Sequence, residues 1–424
     1  MQVEFRSTIH NVKPHLKLVR ELCNMQLGDL KKLIKEFEFL LNKNIIKFWL
    51  NYSLDKENGG FYGYIERDGT PQKDAPKGLV QASRFLWSFS TFYKHSPKEE
   101  YKSFAAEAFN FLTRCFLDKR NGGWFSFVNF NGTPKDKSKH LYGHSFAIYG
   151  LSKYFLTFKD KLALDLAFDT LEIVEKKGED KNNNGYIESF SENWTPIPQD
   201  PELGTTGFHK TMNTHIHLME AYTELYLASK DSFVKSRLEN LIDIIINKII
   251  DINRGCTKLF FEYDWTAVSS ETSYGHDIEL SWLLYESAKI LGREKDQTIL
   301  DSILSLADNV CKEAVDKKDG GIPRKTGERI WWEQAEGLVG FLNAFEVFRD
   351  SKYWDAFLNI YNWVVAKQVD NEYGEWYLGV SPEKVIRPQK CYRGKSPYHN
   401  GRACLEIIRR LKVLKESLND KATD

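Results

Sequence analysis

Much is missing from this 424-residue chain. No apolar run approaches the roughly 18–20 residues that cross a bilayer, so no membrane partner is expected. Residues 1–30 lack the hydrophobic stretch of a secretion signal. Neither sign of charge prevails: 59 Lys and Arg stand against 59 Asp and Glu, without the basic excess that nucleic acid demands. Six cysteines stand singly, with no Cys-x-x-Cys pair, which suits reduced thiols in a cytoplasm better than a disulfide framework. There is no Gly-x-Gly-x-x-Gly, no phosphate-binding loop and no His-Glu-x-x-His, so no nucleotide cofactor and no metal are expected. Aromatic residues, by contrast, are plentiful: 11 Trp, 20 Tyr and 28 Phe. Most such rings pack cores, but Trp and Tyr also suit flat ligands rich in hydroxyls, such as sugars.

A turn recurs along the chain. Asp55-Lys-Glu-Asn-Gly-Gly-Phe61, Asp118-Lys-Arg-Asn-Gly-Gly-Trp124, Asp180-Lys-Asn-Asn-Asn-Gly-Tyr186 and Asp316-Lys-Lys-Asp-Gly-Gly-Ile322 are close copies, with looser ones at Asp251–Cys256 and Asp370–Gly374. Asn, Asp and Gly close tight turns, so each copy should end an element sharply. Before each turn the apolar spacing is helical: Leu33–Leu50, Tyr101–Phe116, Leu162–Glu175, Val234–Ile250, Ile299–Val315 and Tyr353–Ala366. After each, a second and more hydrophobic helix begins near Gly78, Tyr142, Met212, Gly275, Trp332 and Asn400. Stretches such as Gly60–Ile65 and Gly123–Val128 alternate and predict short β-ribbons. The length alone would allow two or three domains. Six helical hairpins instead predict an all-α fold, an (α/α)6 barrel with β-ribbons in the long loops at one rim. Residues 31–424 would form that single barrel, and residues 1–30 an extension of unassigned role.

In such a barrel the inner helices run parallel, and any site is built from their first turns. Those turns hold Arg84, Tyr142 with His144, Asn213 with His215 and His217, His276 with Glu279, Trp332 with Glu336, and His399. Asn213 and His217 share a helix face, whereas His215 points away. His276 and Glu279 also share one, so Glu279 is expected to accept an imidazole N–H and raise the basicity of His276 against the opposing helix dipole. An imidazole held between those pulls works as acid or base near neutrality. Trp87, Trp282 and Trp363 read as packing. Arg84 lies in an apolar run, where it either pairs with a carboxylate or faces a substrate oxygen. Glu333 and Glu336 could merely cap and solvate a helix start.

Four segments carry a resemblance: Lys210-Thr-Met-Asn-Thr-His-Ile-His217, Ser273-Tyr-Gly-His-Asp-Ile-Glu279, Trp331-Trp-Glu-Gln-Ala-Glu336 and Pro397-Tyr-His-Asn-Gly-Arg402. In this order they resemble the cellobiose 2-epimerase branch of the N-acylglucosamine 2-epimerase superfamily, from about Leu33 to Leu411. The resemblance implies an (α/α)6 barrel that interconverts gluco and manno configurations at C2 of a free aldose or reducing-end residue. It implies His276 and His399 as the acid/base pair, His217 as a ring-opening histidine, and Arg84 and Glu279 as catalytic groups. Asn213, Trp332, Tyr142, His144 and Glu336 would bind the sugar, with Trp332 as its platform. The chemistry needs these types: an imidazole takes the C2 proton, a cation holds the enediolate oxygen, and a second imidazole returns a proton on the other face. No cofactor is called for, and the partner is an uncharged mono- or disaccharide bound by a monomer or weak homo-oligomer. Two departures tilt the choice toward a monosaccharide. Gly394 stands where disaccharide-acting members usually have Trp, and His144 where they usually have Gln. An aldose–ketose isomerase of mannose-isomerase type and an inverting glycoside hydrolase are the rival readings, the latter needing two carboxylates astride a bond.

Overall fold

The computed structural model describes residues 27–197, 199–200, 205–392 and 394–423. Twelve long helices alternate along these described residues. Six are outer: α1 (Leu27–Phe39, continued by Leu40–Ile46 and Lys47–Tyr52), α3 (Glu99–Phe111), α5 (Lys161–Ile173), α7 (Ser232–Ile244), α9 (Gln297–Glu313) and α11 (Ser351–Trp363). Six are inner: α2 (Leu79–His95), α4 (Leu141–Phe158), α6 (Met212–Ser229), α8 (Tyr274–Ile290), α10 (Trp331–Phe348) and α12 (His399–Thr423). Successive inner helices pack on one another from α2 to α12, and each packs chiefly on the outer helix that follows it, with α12 on α1, as an (α/α)6 barrel requires. The inner helices are buried on nearly every face, α10 from Glu333 through Phe345 without a break. Four outer helices begin at an Asp whose carboxylate accepts N–H bonds from the first turn: Asp160, Asp231, Asp296 and Asp350. Of the extension expected over residues 1–30, residues 1–26 lie outside the described residues, and Leu27 already opens α1.

The repeated turns do more than end the outer helices. Oδ1 of Asp118 accepts the N–H groups of Arg120 and Asn121, while Oδ2 holds Lys139 Nζ at 2.7 Å, two residues before α4. The same buried pair recurs as Asp55–Lys77, Asp180–Lys210, Asp316–Arg329 and Asp370–Lys390. Five of the six turns thus tie the end of an outer helix to a basic residue that, in all but the last, stands two residues before the next inner helix. In three of these repeats a second clamp follows. The N–H of Trp124 donates to His144 Nε2, that of Tyr186 to His215 Nε2 and that of Ile322 to Gln334 Oε1. The acceptor is each time the fourth residue of its inner helix. The loop comes so close that a Cβ on Gly123, whose φ is +72°, would lie 2.6 Å from His144 Nε2. Glycine is needed there for both reasons.

Ribbons form within loops, as the sequence predicts, for example Phe127–Val128 with Pro134–Asp136 and Ile250–Asp251 with Cys256–Thr257, and they also link successive repeats. Lys77–Gly78 pairs with Phe127–Val128, Lys139–His140 with Ser189–Phe190, Lys210–Thr211 with Phe260–Phe261, and Arg329–Ile330 with Gly379–Val380. Tyr64–Ile65 pairs with Cys391–Tyr392, which closes the ring from last repeat to first. The ribbons also take up the first N–H of inner helices: Leu79 N–H reaches Ser126 O, Leu141 reaches Glu188 O, Met212 reaches Leu259 O and Trp331 reaches Leu378 O. A first turn served in this way is free to carry side chains that do other work.

Candidate active site

The second and sixth residues of an inner helix are four apart and face the barrel axis together. In α6 they are Asn213 and His217, and in α10 Trp332 and Glu336. The sixth residue of α2 is Arg84, the second of α4 is Tyr142, and the sixth of α8 is Glu279. Gly275 holds the second place in α8, and a Cβ there would lie 2.8 Å from the Trp332 ring, so the glycine makes room for the indole. A cavity of about 490 Å³ opens among Arg84, Tyr142, His217, His276, Glu279, Trp332 and His399. An adjoining one of about 360 Å³ takes in Asn213 and shares Tyr142 and His276 with the first.

Three imidazoles meet here, each with Nδ1 engaged. His217 Nδ1 lies 2.9 Å from Glu220 Oε2, and His399 Nδ1 lies 2.7 Å from Glu336 Oε1. His276 Nδ1 lies 2.6 Å from Ser273 Oγ. The Nε2 atoms have no hydrogen bond among the described residues. The Trp332 ring lies beside two of the imidazoles, with its centroid 4.7 Å from that of His276 and 5.8 Å from that of His399. Burial lowers the pKa of all three histidines. For His276 burial comes first and the charge of His217 next, bringing it to about 3. The expectation that Glu279 would pair with His276 and raise its basicity is therefore overturned: a serine hydroxyl takes that place, and burial outweighs the helix-face argument.

Glu279 instead accepts from Arg402 Nη2 at 3.1 Å. The same guanidinium donates to Glu336 Oε1 at 2.8 Å and, through Nη1, to Glu220 Oε1 and the Tyr398 hydroxyl. It lies over the rings of Trp282 and Tyr398, at 4.7 and 4.4 Å from their centroids. One arginine thus satisfies three buried carboxylates, two of which back a histidine. Burial, then the neighbouring Glu336, pushes the Glu279 carboxyl well above the usual range, and burial raises Glu336 as well. Arg84 donates to Gly394 O and to the Tyr142 hydroxyl, both at 2.9 Å, and no carboxylate among the described residues pairs with it. Of its two readings, a group facing the cavity is the one realised.

Two sequence assignments move. His144, expected to bind substrate, is wholly buried, with Nε2 accepting from Trp124 and Nδ1 bonded to His140 O at 2.8 Å. It holds a loop and does not reach the cavity, so its difference from Gln carries no message about substrate. Glu336 lies behind His399, its oxygens taken by His399, Arg402 and Trp282. It positions the imidazole. Arg402, Glu220, Ser273 and Tyr398 were not singled out as site residues from the sequence; the only visible hint was the three-residue spacing of His217 and Glu220, which is a hydrogen bond. Glu279, Glu336 and His399 bring ligand atoms within 4.8 Å of one another, a spacing a metal could use. The Arg402 guanidinium already donates into both carboxylates, so a cation there would meet a fixed positive charge.

Residues 60–403 match the family model described as N-acylglucosamine 2-epimerase. Cellobiose 2-epimerase of Dictyoglomus turgidum is 38% identical over 90% of this chain and 100% of its own length. The structure of cellobiose 2-epimerase from Bacillus thermoamylovorans superposes with a TM-score of 0.85 at 35% identity, covering 90% of this chain and 100% of that one. D-mannose isomerase of Marinomonas mediterranea is more distant, 23% identical over 86% of this chain and 94% of its own.

Proposed function

Since the chain belongs to the N-acylglucosamine 2-epimerase family, we propose that it is a carbohydrate 2-epimerase of the cellobiose 2-epimerase type. It inverts C2 of a reducing-end aldose, in cellobiose or mannobiose and in free glucose or mannose. The observation that carries this reading is the pair of imidazoles beside Trp332, His276 and His399, each anchored at Nδ1 with Nε2 left for substrate. Epimerisation needs a base on each face of one carbon, and two rings from different helices can supply them.

His217, backed by Glu220, takes the anomeric hydroxyl proton and hands it to the ring oxygen as the C1–O5 bond breaks and the hemiacetal opens. Glu336 fixes His399 with its proton on Nδ1 and a bare Nε2, which removes the C2 proton and becomes imidazolium against that carboxylate. The enediolate oxygen lies against the Arg84 guanidinium, a fixed donor that needs no reorganisation. His276 returns a proton from the opposite face. Trp332 holds the apolar face of the sugar ring, and Tyr142, Asn213 and Glu279 its oxygens. An inverting hydrolase needs two free carboxylates about 6.5–9.5 Å apart. Here Glu279 and Glu336 bring oxygens within 4.8 Å and share Arg402.

The test is incubation of mannose and of cellobiose in D2O. The expected product is the C2 epimer carrying deuterium at C2. A ketose as the main product would favour the isomerase reading, and absence of exchange on glucose, mannose, cellobiose and mannobiose would defeat the proposal.

A further inference from the structure

His276 stands between two cavities. Its ring borders the histidine-lined space of about 490 Å³ and also the adjoining one of about 360 Å³. Ser273, bonded to His276 Nδ1 at 2.6 Å, borders only the second. Polar groups are set into the mostly apolar lining of that second space. Glu188 lies there, 4% exposed, with Oε2 accepting from Thr211 Oγ1 at 2.6 Å and Oε1 3.2 Å from His140 Nε2. Asn213 and Thr211 also line it. Such a space has the volume and the hydrogen-bonding partners that several waters require. His399 has no such outlet, because its Nδ1 ends on Glu336, a wholly buried carboxylate.

We propose that Ser273 is a proton relay that connects His276 to water in the second cavity, so that His276 reacts by exchanging tautomers. This deepens the epimerase reading and rests on it. In the step that returns a proton to C2, the Nε2–H bond breaks and the C2–H bond forms. In the same step Nδ1 takes the hydroxyl proton of Ser273, and Oγ takes one from cavity water. The imidazole begins and ends neutral. The deficit passes to the solvent, which later receives the proton held by His399. In the reverse direction Nε2 takes the C2 proton, Nδ1 gives its proton to Ser273 Oγ, and Oγ releases one to the cavity. A hydroxyl can serve both ways because it both donates and accepts. The depressed basicity of His276 makes the relay useful: a neutral imidazole gives up its Nε2 proton readily only if another arrives at Nδ1.

The experiment compares the full-length wild type with Ser273→Ala and Ser273→Thr, reading kcat, KM and the dependence of kcat on the deuterium content of the solvent. Wild type should show a curved dependence, because more than one proton is in flight. Ser273→Ala should lose about 10²-fold in kcat, keep its KM and give a straight line, while Ser273→Thr recovers both rate and curvature. Wild-type rate and curvature in Ser273→Ala would overturn the relay. So would a Ser273→Thr enzyme as slow as Ser273→Ala, which would mark the serine as structural. Wild type that exchanges no C2 deuterium would bring down the epimerase reading and the relay together; exchange with an indifferent Ser273→Ala brings down the relay alone.

Discussion

Asp277 offers a quantitative check on the clamp logic of the fold. It is the fourth residue of α8, the place held by His144, His215 and Gln334 in three other repeats, and it too receives the outer loop. Its Oδ1 accepts Thr257 N–H at 2.8 Å and Thr257 Oγ1 at 2.7 Å, while Oδ2 is buried without a partner among the described residues. Burial, only partly offset by Thr257, raises its pKa from 3.8 to about 7. A folded pKa above the unfolded one means the folded state binds the proton more tightly. The stability this gives is complete below about pH 4 and is lost as pH rises through 7. At about 1.4 kcal/mol per pKa unit, the group weakens the fold by roughly 2–3 kcal/mol between pH 5 and pH 8. Asp277→Asn keeps an oxygen for Thr257 and cannot ionise. Denaturant midpoints of the two proteins at pH 5 and pH 8 should diverge, with the variant the more stable at pH 8 by about that amount. Identical pH slopes in the two proteins would refute the reasoning.

Two further substitutions separate clamp from site. His144→Gln, which places at α4 the residue that Gln334 already is in α10, should leave kcat and KM unchanged and cost little stability. His144→Ala, by orphaning the buried Trp124 N–H, should cost about 1–3 kcal/mol in a denaturant titration; a large loss of kcat in His144→Gln would return this histidine to the substrate. Lys139→Met leaves Asp118 buried and unpaired, which should cost about 3–5 kcal/mol. The double variant Lys139→Met with Asp118→Asn should recover much of this, and no recovery in thermal or denaturant unfolding would argue against the pair as the clamp.

The barrel was legible because its repeat is carried by local chemistry. Each Asp-x-x-Asn/Asp-Gly turn closes on its own backbone, and each helix shows its period within one window. The partner of that turn, the basic residue at Lys77, Lys139, Lys210, Arg329 or Lys390, lies beyond the turn's own window and carries no local sign of its carboxylate. The ribbons themselves were legible as short alternating stretches in the long loops, but their pairing with the next repeat was not, because a two-residue strand carries no local sign of its partner. His144 was misplaced by the geometry that correctly set His215 aside. Two residues along a helix from Tyr142, it faces the loop, as His215 does two residues from Asn213. Arg402 was hidden for another reason: its meaning lies in Glu220, Glu279 and Glu336, which come from three other helices.

Under the proposed mechanism, that convergence would let a sugar be turned into an anion at this site. Arg84 and Arg402 bring positive charge to the site, Arg402 holds Glu220 low, and burial raises both Glu279 and Glu336. When the C2 proton moves to His399, the new positive charge appears beside Glu336 and the new negative charge beside Arg84, so each meets a partner fixed beforehand. Burial, which keeps the imidazoles neutral at rest, also removes the water that would weaken those two attractions. The same reasoning predicts which carboxylate matters for the proton. Glu336→Gln leaves the geometry nearly intact but takes away the negative charge that meets imidazolium. It should lower kcat by about 10²-fold or more with KM little changed, and a wild-type kcat in that variant would mean that His399 does not carry the proton.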